Sequence, residues 1–394
     1  MSPRPRLALL LGGGVLAAAC AHGPGAPPAP ETPPSPSSTC VVASDSAGAG
    51  RDVTAAFDDS ADARRVARAT RVVAPVRLDC EGRPSPGLAI RWSRDSSARF
   101  WTIDLDSPST WTAGPLAAAW WADPDANSAL RWAGVESLIP LDERRLVLGF
   151  SSPEAEPPTV LADRSLGVPP TSPRRNSVLP QPISGDLRDA IDRGVDLVHT
   201  SDPGVIEYAS RRPGLTSIPL PWNRAYLLLL PSPSAGIGAA IPPDTAAFRA
   251  ALARDAVRAD ARAAAAPFWW ERAGACPQVA PPPARRRQLD NAVVYRASDR
   301  VARDLAERLV ALAGAPELAA RGLDDEAFRS ALASGSERAF VLAAPVHATV
   351  PCRESAGWPR SATVVPLIET RPHAILRRGT PPFEVEWDGT LVGR

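Results

Sequence analysis

Apolar and polar positions alternate along the chain in short periodic stretches that predict many strands and helices rather than a few long elements. The β-branched run at 72–78 reads as a strand, behind a helix at 61–71 that Asp59 or Ser60 can cap. Further strands are predicted at 100–105, 145–150 and 224–230; the last two are dense enough in leucine and valine to be buried on both faces. Helices are predicted at 245–264 and 298–313. In the second, Val301, Leu305, Leu309 and Leu312 recur at spacings of three and four and share one face. Two stretches echo one another: 186–194 before Val195-Asp-Leu-Val, and 327–335 before Arg338-Ala-Phe-Val-Leu. Each reads as helix, glycine cap, buried strand, because glycine takes the left-handed conformation that ends a helix and the apolar run behind it suits a parallel sheet. This alternation predicts an α/β chain.

Proline-rich breaks at 153–158, 169–182 and 277–283 punctuate the pattern, and the last runs into Arg285-Arg-Arg287. That triplet reads as a solvated linker or as an anion contact, and the stretch is taken as the lobe boundary. The expected organisation is a signal peptide at 1–19, a Pro/Ala/Gly-rich tether at 20–39, and a first lobe at 40–283 with an inserted subdomain near 85–165. A reduced second lobe at 284–365 and a return segment at 366–394 complete it. Crossings between lobes are expected near 231–240 and 364–367.

The first 20 residues add a compartment. Arg4 and Arg6, an apolar run at 7–11 and the small residues before Cys20 form an export signal too short to span a bilayer, with Cys20 as the candidate lipidated terminus. An ordinary secretory signal with an incidental cysteine is the alternative; both place the protein outside the cytoplasm, facing the periplasm or exterior. Four further cysteines, Cys40, Cys80, Cys276 and Cys352, permit three pairings in an oxidising compartment, and proximity favours Cys40 with Cys80 and Cys276 with Cys352. All 44 cationic side chains are arginines, balanced by 43 acidic ones, so no broad field favours nucleic acid. No CxxC pair, HExxH, GxSxG, Walker loop or SxxK occurs, which gives no sign of a metal, cofactor or active site.

Residues Gly87-Leu-Ala-Ile-Arg-Trp-Ser, Phe100-Trp-Thr-Ile-Asp-Leu and Trp111-Thr-Ala-Gly-Pro-Leu-Ala-Ala, in that order, resemble the family 5 extracellular solute-binding proteins, the peptide and nickel class of ABC importers. Later landmarks follow the family's order: Gly134-Val-Glu-Ser-Leu-Ile-Pro with Arg145-Leu-Val-Leu, the stretch 186–198, and Phe248-Arg-Ala-Ala-Leu-Ala-Arg-Asp-Ala-Val. The family's GTGPY-like turn has no counterpart in 172–184, and the second lobe is short. The resemblance implies a two-lobed type II periplasmic-binding-protein-like fold with mixed sheets and a hinge. It also implies an ABC-importer permease as partner, a small peptide or other small solute as ligand, and a monomer on a lipid anchor. A degenerate member that binds no solute and serves envelope interactions is the alternative. Trp222, Tyr226, Trp269, Trp270 and Trp358 are candidate ligand contacts or core aromatics, and Asn223 and Arg224 are candidate hydrogen-bonding partners for a peptide terminus or members of a turn.

Overall fold

The computed structural model describes residues 40–42, 52–57, 66–67, 69–106, 111–154, 159–169, 178–181, 185–231, 245–265, 268–271, 276, 290–359 and 362–393. The expected signal peptide, Cys20 and the expected tether lie outside them, as do most of the predicted helix at 61–71 and the break at 277–283.

Two mixed sheets carry the molecule. A five-stranded sheet has the order Leu215–Pro219, His373–Arg377, Leu197–Thr200, Val53–Phe57, Val178–Gln181. Leu197–Thr200 is parallel to Val53–Phe57 and antiparallel to His373–Arg377. A six-stranded sheet has the order Ala261–Ala263, Thr363–Thr370, Arg224–Leu230, Glu337–Pro345, Asp290–Arg296, Ala319–Leu323. Glu337–Pro345 pairs parallel with Asp290–Arg296 and antiparallel with Arg224–Leu230. The parallel pairing expected behind each glycine cap is therefore half of what each strand does.

Each sheet is buried on both faces, which is why its central strands read as continuous apolar runs. Tyr226, Leu228, Val293, Val341 and Ile368 pack under the helices Ala246–Asp255 and Arg300–Ala313, while Leu227, Leu229, Val294, Phe340 and Leu342 pack with Phe328 and Leu332 of helix Asp325–Ser334. Helix Arg300–Ala313 begins where the Asp299 carboxylate accepts from the Ala302 N–H and ends at Gly314, left-handed at φ 62°. Asp196, between the first glycine cap and its strand, accepts from both the N–H and the hydroxyl of Thr54, at 2.9 and 2.7 Å, and so fixes the register of the two parallel strands.

Between Val53–Phe57 and Val178–Gln181, neighbours in the five-stranded sheet, the chain builds an antiparallel four-stranded sheet with the order Ala89–Arg94, Phe100–Leu105, Arg145–Phe150, Val135–Pro140. Helices Ala113–Ala122 and Pro124–Trp132 cover its inner face. Of the tryptophans that carried the family resemblance, Trp92 and Trp101 are core here and Trp111 packs against it; Trp120 is also core, and its Nε1 donates to the Leu166 carbonyl at 2.9 Å. Cys40 is bonded to Cys80 and Cys276 to Cys352, with Cα separations of 5.3 and 5.2 Å.

Three sequence expectations are corrected. The strand predicted at 72–78 is Val76–Leu78, because Pro75 has no N–H for a ladder; Val73 forms only an isolated bridge to Val168. The helix predicted at 245–264 stops at Asp255, and Ala261–Ala263 is an edge strand on Thr363–Thr370, where Arg262 meets the buried Glu369 carboxylate at 2.6 Å. The break at 277–283 does not separate the sheets, since Arg224–Leu230 and Ala261–Ala263 before it join the four strands after it.

Candidate functional site

The chain passes between the two large sheets at two adjacent places. Leu215–Pro219 belongs to the five-stranded sheet and Arg224–Leu230 to the six-stranded one; Thr363–Thr370 and His373–Arg377 repeat the passage in reverse. The crossings are therefore 220–223 and 371–372, not the expected 231–240 and 364–367: residues 364–367 sit mid-strand, and 232–240 lie outside the described residues. The Leu220 N–H donates to the Pro372 carbonyl at 2.9 Å, joining the two.

Charged and aromatic groups lace this junction. Two guanidiniums lie over the Trp222 ring, Arg262 at 4.5 Å and Arg371 at 4.4 Å from its centroid. Arg371 Nε donates to Asp260 Oδ2 at 2.7 Å, and His373 Nε2 lies 3.2 Å from the same oxygen.

Next to the junction a polar cavity of about 260 Å³ opens between the sheets. The chain before residue 220 and after 372 contributes Asp163, Arg164, Trp387 and Asp388; the chain from 223 to 370 contributes Asn223, Arg224, His347, Thr349, Arg353 and Glu354. Asn223 is buried and its Nδ2 donates to the Asp388 carbonyl at 3.0 Å. Arg164 pairs with the buried Glu386 carboxylate, which Arg77 also meets at 2.5 Å. His347 stacks edgewise on Trp387 at 5.9 Å; burial holds its imidazole below the ordinary 6.5, against the weaker upward pull of the Glu369 carboxylate. Beyond these two rings lies a second, more open cavity of about 640 Å³, walled by Ile218, Leu220, Trp222, Arg262, Arg371 and Val385 among others.

Of the seven sequence candidates, Asn223 and Arg224 line the polar cavity and Trp222 lines the open one. The other four are packing groups. Tyr226 is fully buried, its hydroxyl on Asp299 at 3.1 Å, and burial together with that carboxylate pushes its pKa well above the ordinary value. Trp270 is buried and stacked on Phe268 at 4.3 Å. Trp269 donates to the Pro345 carbonyl at 2.7 Å and meets Trp358 at 5.7 Å. Sequence reasoning missed Asp163, Arg164, His347, Arg353, Glu354, Trp387 and Asp388; the local signals were two charged pairs, Asp163-Arg164 and Arg353-Glu354, the second directly after Cys352. Among the described residues no cluster of three or more His, Cys, Asp or Glu is placed to hold a metal ion, and no helix is long and apolar enough to cross a membrane.

The architecture matches known structures. The chain is similar to the Escherichia coli murein tripeptide binding protein MppA, at 10% identity over 87% of this chain and 97% of that one, with a TM-score of 0.56. It is similar to a periplasmic oligopeptide-binding protein from Borrelia burgdorferi, at 10% identity over 83% and 95%, with a TM-score of 0.55. It is also similar to Haemophilus influenzae OppA in complex with RPPGFSPFR, at 12% identity over 84% and 97%, with a TM-score of 0.53. The chain therefore has the two-lobed α/β fold of periplasmic binding proteins, the fold that its motifs' resemblance to family 5 implied. No family model and no curated protein matches it by sequence.

Proposed function

We infer that the protein is a solute-binding component of an ABC importer, of the family 5 type, that captures a small peptide-like solute between two lobes. The reading rests on one observation: a cavity bearing Arg164, Arg224, Arg353, Asp163, Glu354 and Asp388 lies between the sheets, beside the two crossings that join them. Charges of both signs suit a dipolar solute with an ammonium and a carboxylate. The lobes of this proposal are the two sheet units, one holding the strands before residue 220 and after 372, the other the strands of 224–370. Closure about 220–223 and 371–372 brings their faces together, and a solute shifts that equilibrium only through its preference for the closed form. Lipidation at Cys20 and export place the protein on the outer side of a membrane, as a monomer that meets its permease there; Cys20→Ala is expected to release it into the soluble fraction. The test of binding is a thermal-shift screen of the full chain with pooled di- to pentapeptides. Solute at about 100 times its dissociation constant adds about 2.7 kcal/mol. Arg224→Ala is expected to abolish the shift; no shift with any pool defeats the reading.

A second reading, a non-transport envelope interaction lipoprotein, is favoured by one observation: chain-internal bonds already bridge the seam, among them Asn223 to Asp388 and Arg353 to Asp163. It predicts no thermal shift and copurification of an envelope partner.

A further inference from the structure

We propose that residues 346–358 form a clasp that keeps the cleft shut without any solute. The segment leaves the six-stranded sheet after Glu337–Pro345 and returns to it at Thr363–Thr370, yet its middle is seated in the four-stranded unit. Val350 is 1% exposed and belongs to the core that contains Trp120, Leu130, Leu161 and Leu166. Helix Pro351–Glu354 lies against helix Pro124–Trp132. Thr349 Oγ1 and Arg353 Nη2 both donate to Asp163 Oδ2, at 2.9 and 2.6 Å, and Arg353 Nη1 reaches Ser165 Oγ at 3.4 Å.

Asp163 is built to receive this segment. It is 4% exposed, and its other oxygen accepts from the N–H and hydroxyl of Ser165 at 3.0 and 2.6 Å, so its carboxylate is fixed before Arg353 arrives. On the other side, Cys352 is bonded to Cys276, which ties the clasp to the chain ahead of Asp290–Arg296. One end of the polar cavity is thus bounded by the crossing residues Asn223 and Arg224, and another by the clasp residues Thr349 and Arg353. Swinging the sheets apart requires Val350 to leave an apolar core and Asp163 to lose two donors.

The test needs no solute, so its outcome is independent of whether a peptide is ever found to bind. Small-angle scattering and amide hydrogen exchange are measured on the full mature chain and on Arg353→Ala, Thr349→Val and Val350→Ser. The solute-free wild type is expected to scatter as a closed particle. Arg353→Ala is expected to raise the radius of gyration and to speed exchange at 160–166 at least about tenfold, while 224–230 stays protected. Val350→Ser is expected to do the same or more; where its circular dichroism reports unfolding, Arg353→Ala and Thr349→Val decide. An open wild type, or folded variants with wild-type scattering and exchange, overturns the clasp.

Discussion

Removing the Cys276–Cys352 bond by the double variant Cys276→Ser, Cys352→Ser is expected to weaken one sheet unit and spare the other. The bond spans a sequence separation of 76, for which the chain-entropy relation gives about 4.5 kcal/mol, against about 3.9 kcal/mol for the separation of 40 between Cys40 and Cys80. Realised values run lower, so about 2–4 kcal/mol is the expected loss. The closed loop contains Asp290–Arg296, Arg300–Ala313, Ala319–Leu323, Asp325–Ser334 and Glu337–Pro345, all in the six-stranded unit. With a urea slope of about 3 kcal/mol/M, the midpoint of that unit falls by about 1 M. Native-state hydrogen exchange locates the loss: amides of 290–296 and 337–345 should exchange faster, while those of 53–57 and 197–200 keep wild-type protection. An unchanged midpoint, or equal loss in both sheets, would refute the division of the chain at 220–223 and 371–372.

Trp222→Ala should cost about 1–2 kcal/mol in urea denaturation, from two guanidinium contacts worth about 0.5–1 kcal/mol each, and Trp222→Phe should recover much of it; a loss below about 0.3 kcal/mol contradicts a stabilising role for these contacts. His347 has a folded pKa below its unfolded value, so the unfolded chain takes up the proton first: its contribution to stability is complete above about pH 6.5 and declines as the pH falls toward the depressed folded value. His347→Gln should flatten the dependence of melting temperature on pH between about 7.5 and 5, and an unaltered slope excludes this histidine as its source. Gly87→Ala would put a Cβ 2.1 Å from the Ala74 carbonyl oxygen and 2.7 Å from that of Pro75, and should destabilise by about 2 kcal/mol or more. Gly114→Ala, in a helix with nothing within 4 Å, should instead gain about 0.5–1 kcal/mol, and the opposite order in thermal melts would contradict the packing around residue 87.

How much was legible depends on whether the information is local. Arg224–Leu230 and Arg300–Ala313 stand out in the sequence because both faces of one, and a single face of the other, are buried by their immediate surroundings. Ala261–Ala263 is alanine-rich and reads as helix; its strand state comes from pairing with Thr363–Thr370 and from Arg262 on Glu369, partners 107 residues away. The crossings were misplaced for the same reason. Pro219-Leu-Pro-Trp-Asn-Arg224 looks like a turn into a strand, and nothing in it says that the strands on either side join different sheets. A proline-rich stretch reads in a sequence as a break in regular structure, which is not the same as a boundary between packed units. The site suffers most, since Asp163 and Arg353 are 190 residues apart and each looks like an ordinary surface charge until the chain brings them together.

The clasp changes what a closed cleft means for binding. In a hinge protein without internal bonds across its seam, closure is stabilised by the solute alone. Here Val350 contributes about 1.5–3 kcal/mol by full burial, and the Arg353 to Asp163 pair, with one partner buried and the other 28% exposed, adds about 1 kcal/mol after screening. A bias of about 3 kcal/mol leaves the open form near 1% of the population, and a solute that enters only that form binds about a hundredfold more weakly than its contacts alone would give. The polar cavity, at about 260 Å³, lies below the range of about 300–1,000 Å³ usual for small-molecule sites, so a peptide-like solute housed there has to lift the clasp or extend into the adjoining cavity of about 640 Å³. Tight capture then depends on the solute replacing what Arg353 and Val350 lose. A solute unable to do so leaves the cleft sealed, which is the state that the interaction reading requires. On this proposal, the strength of one segment, rather than the fold, would separate transport from interaction.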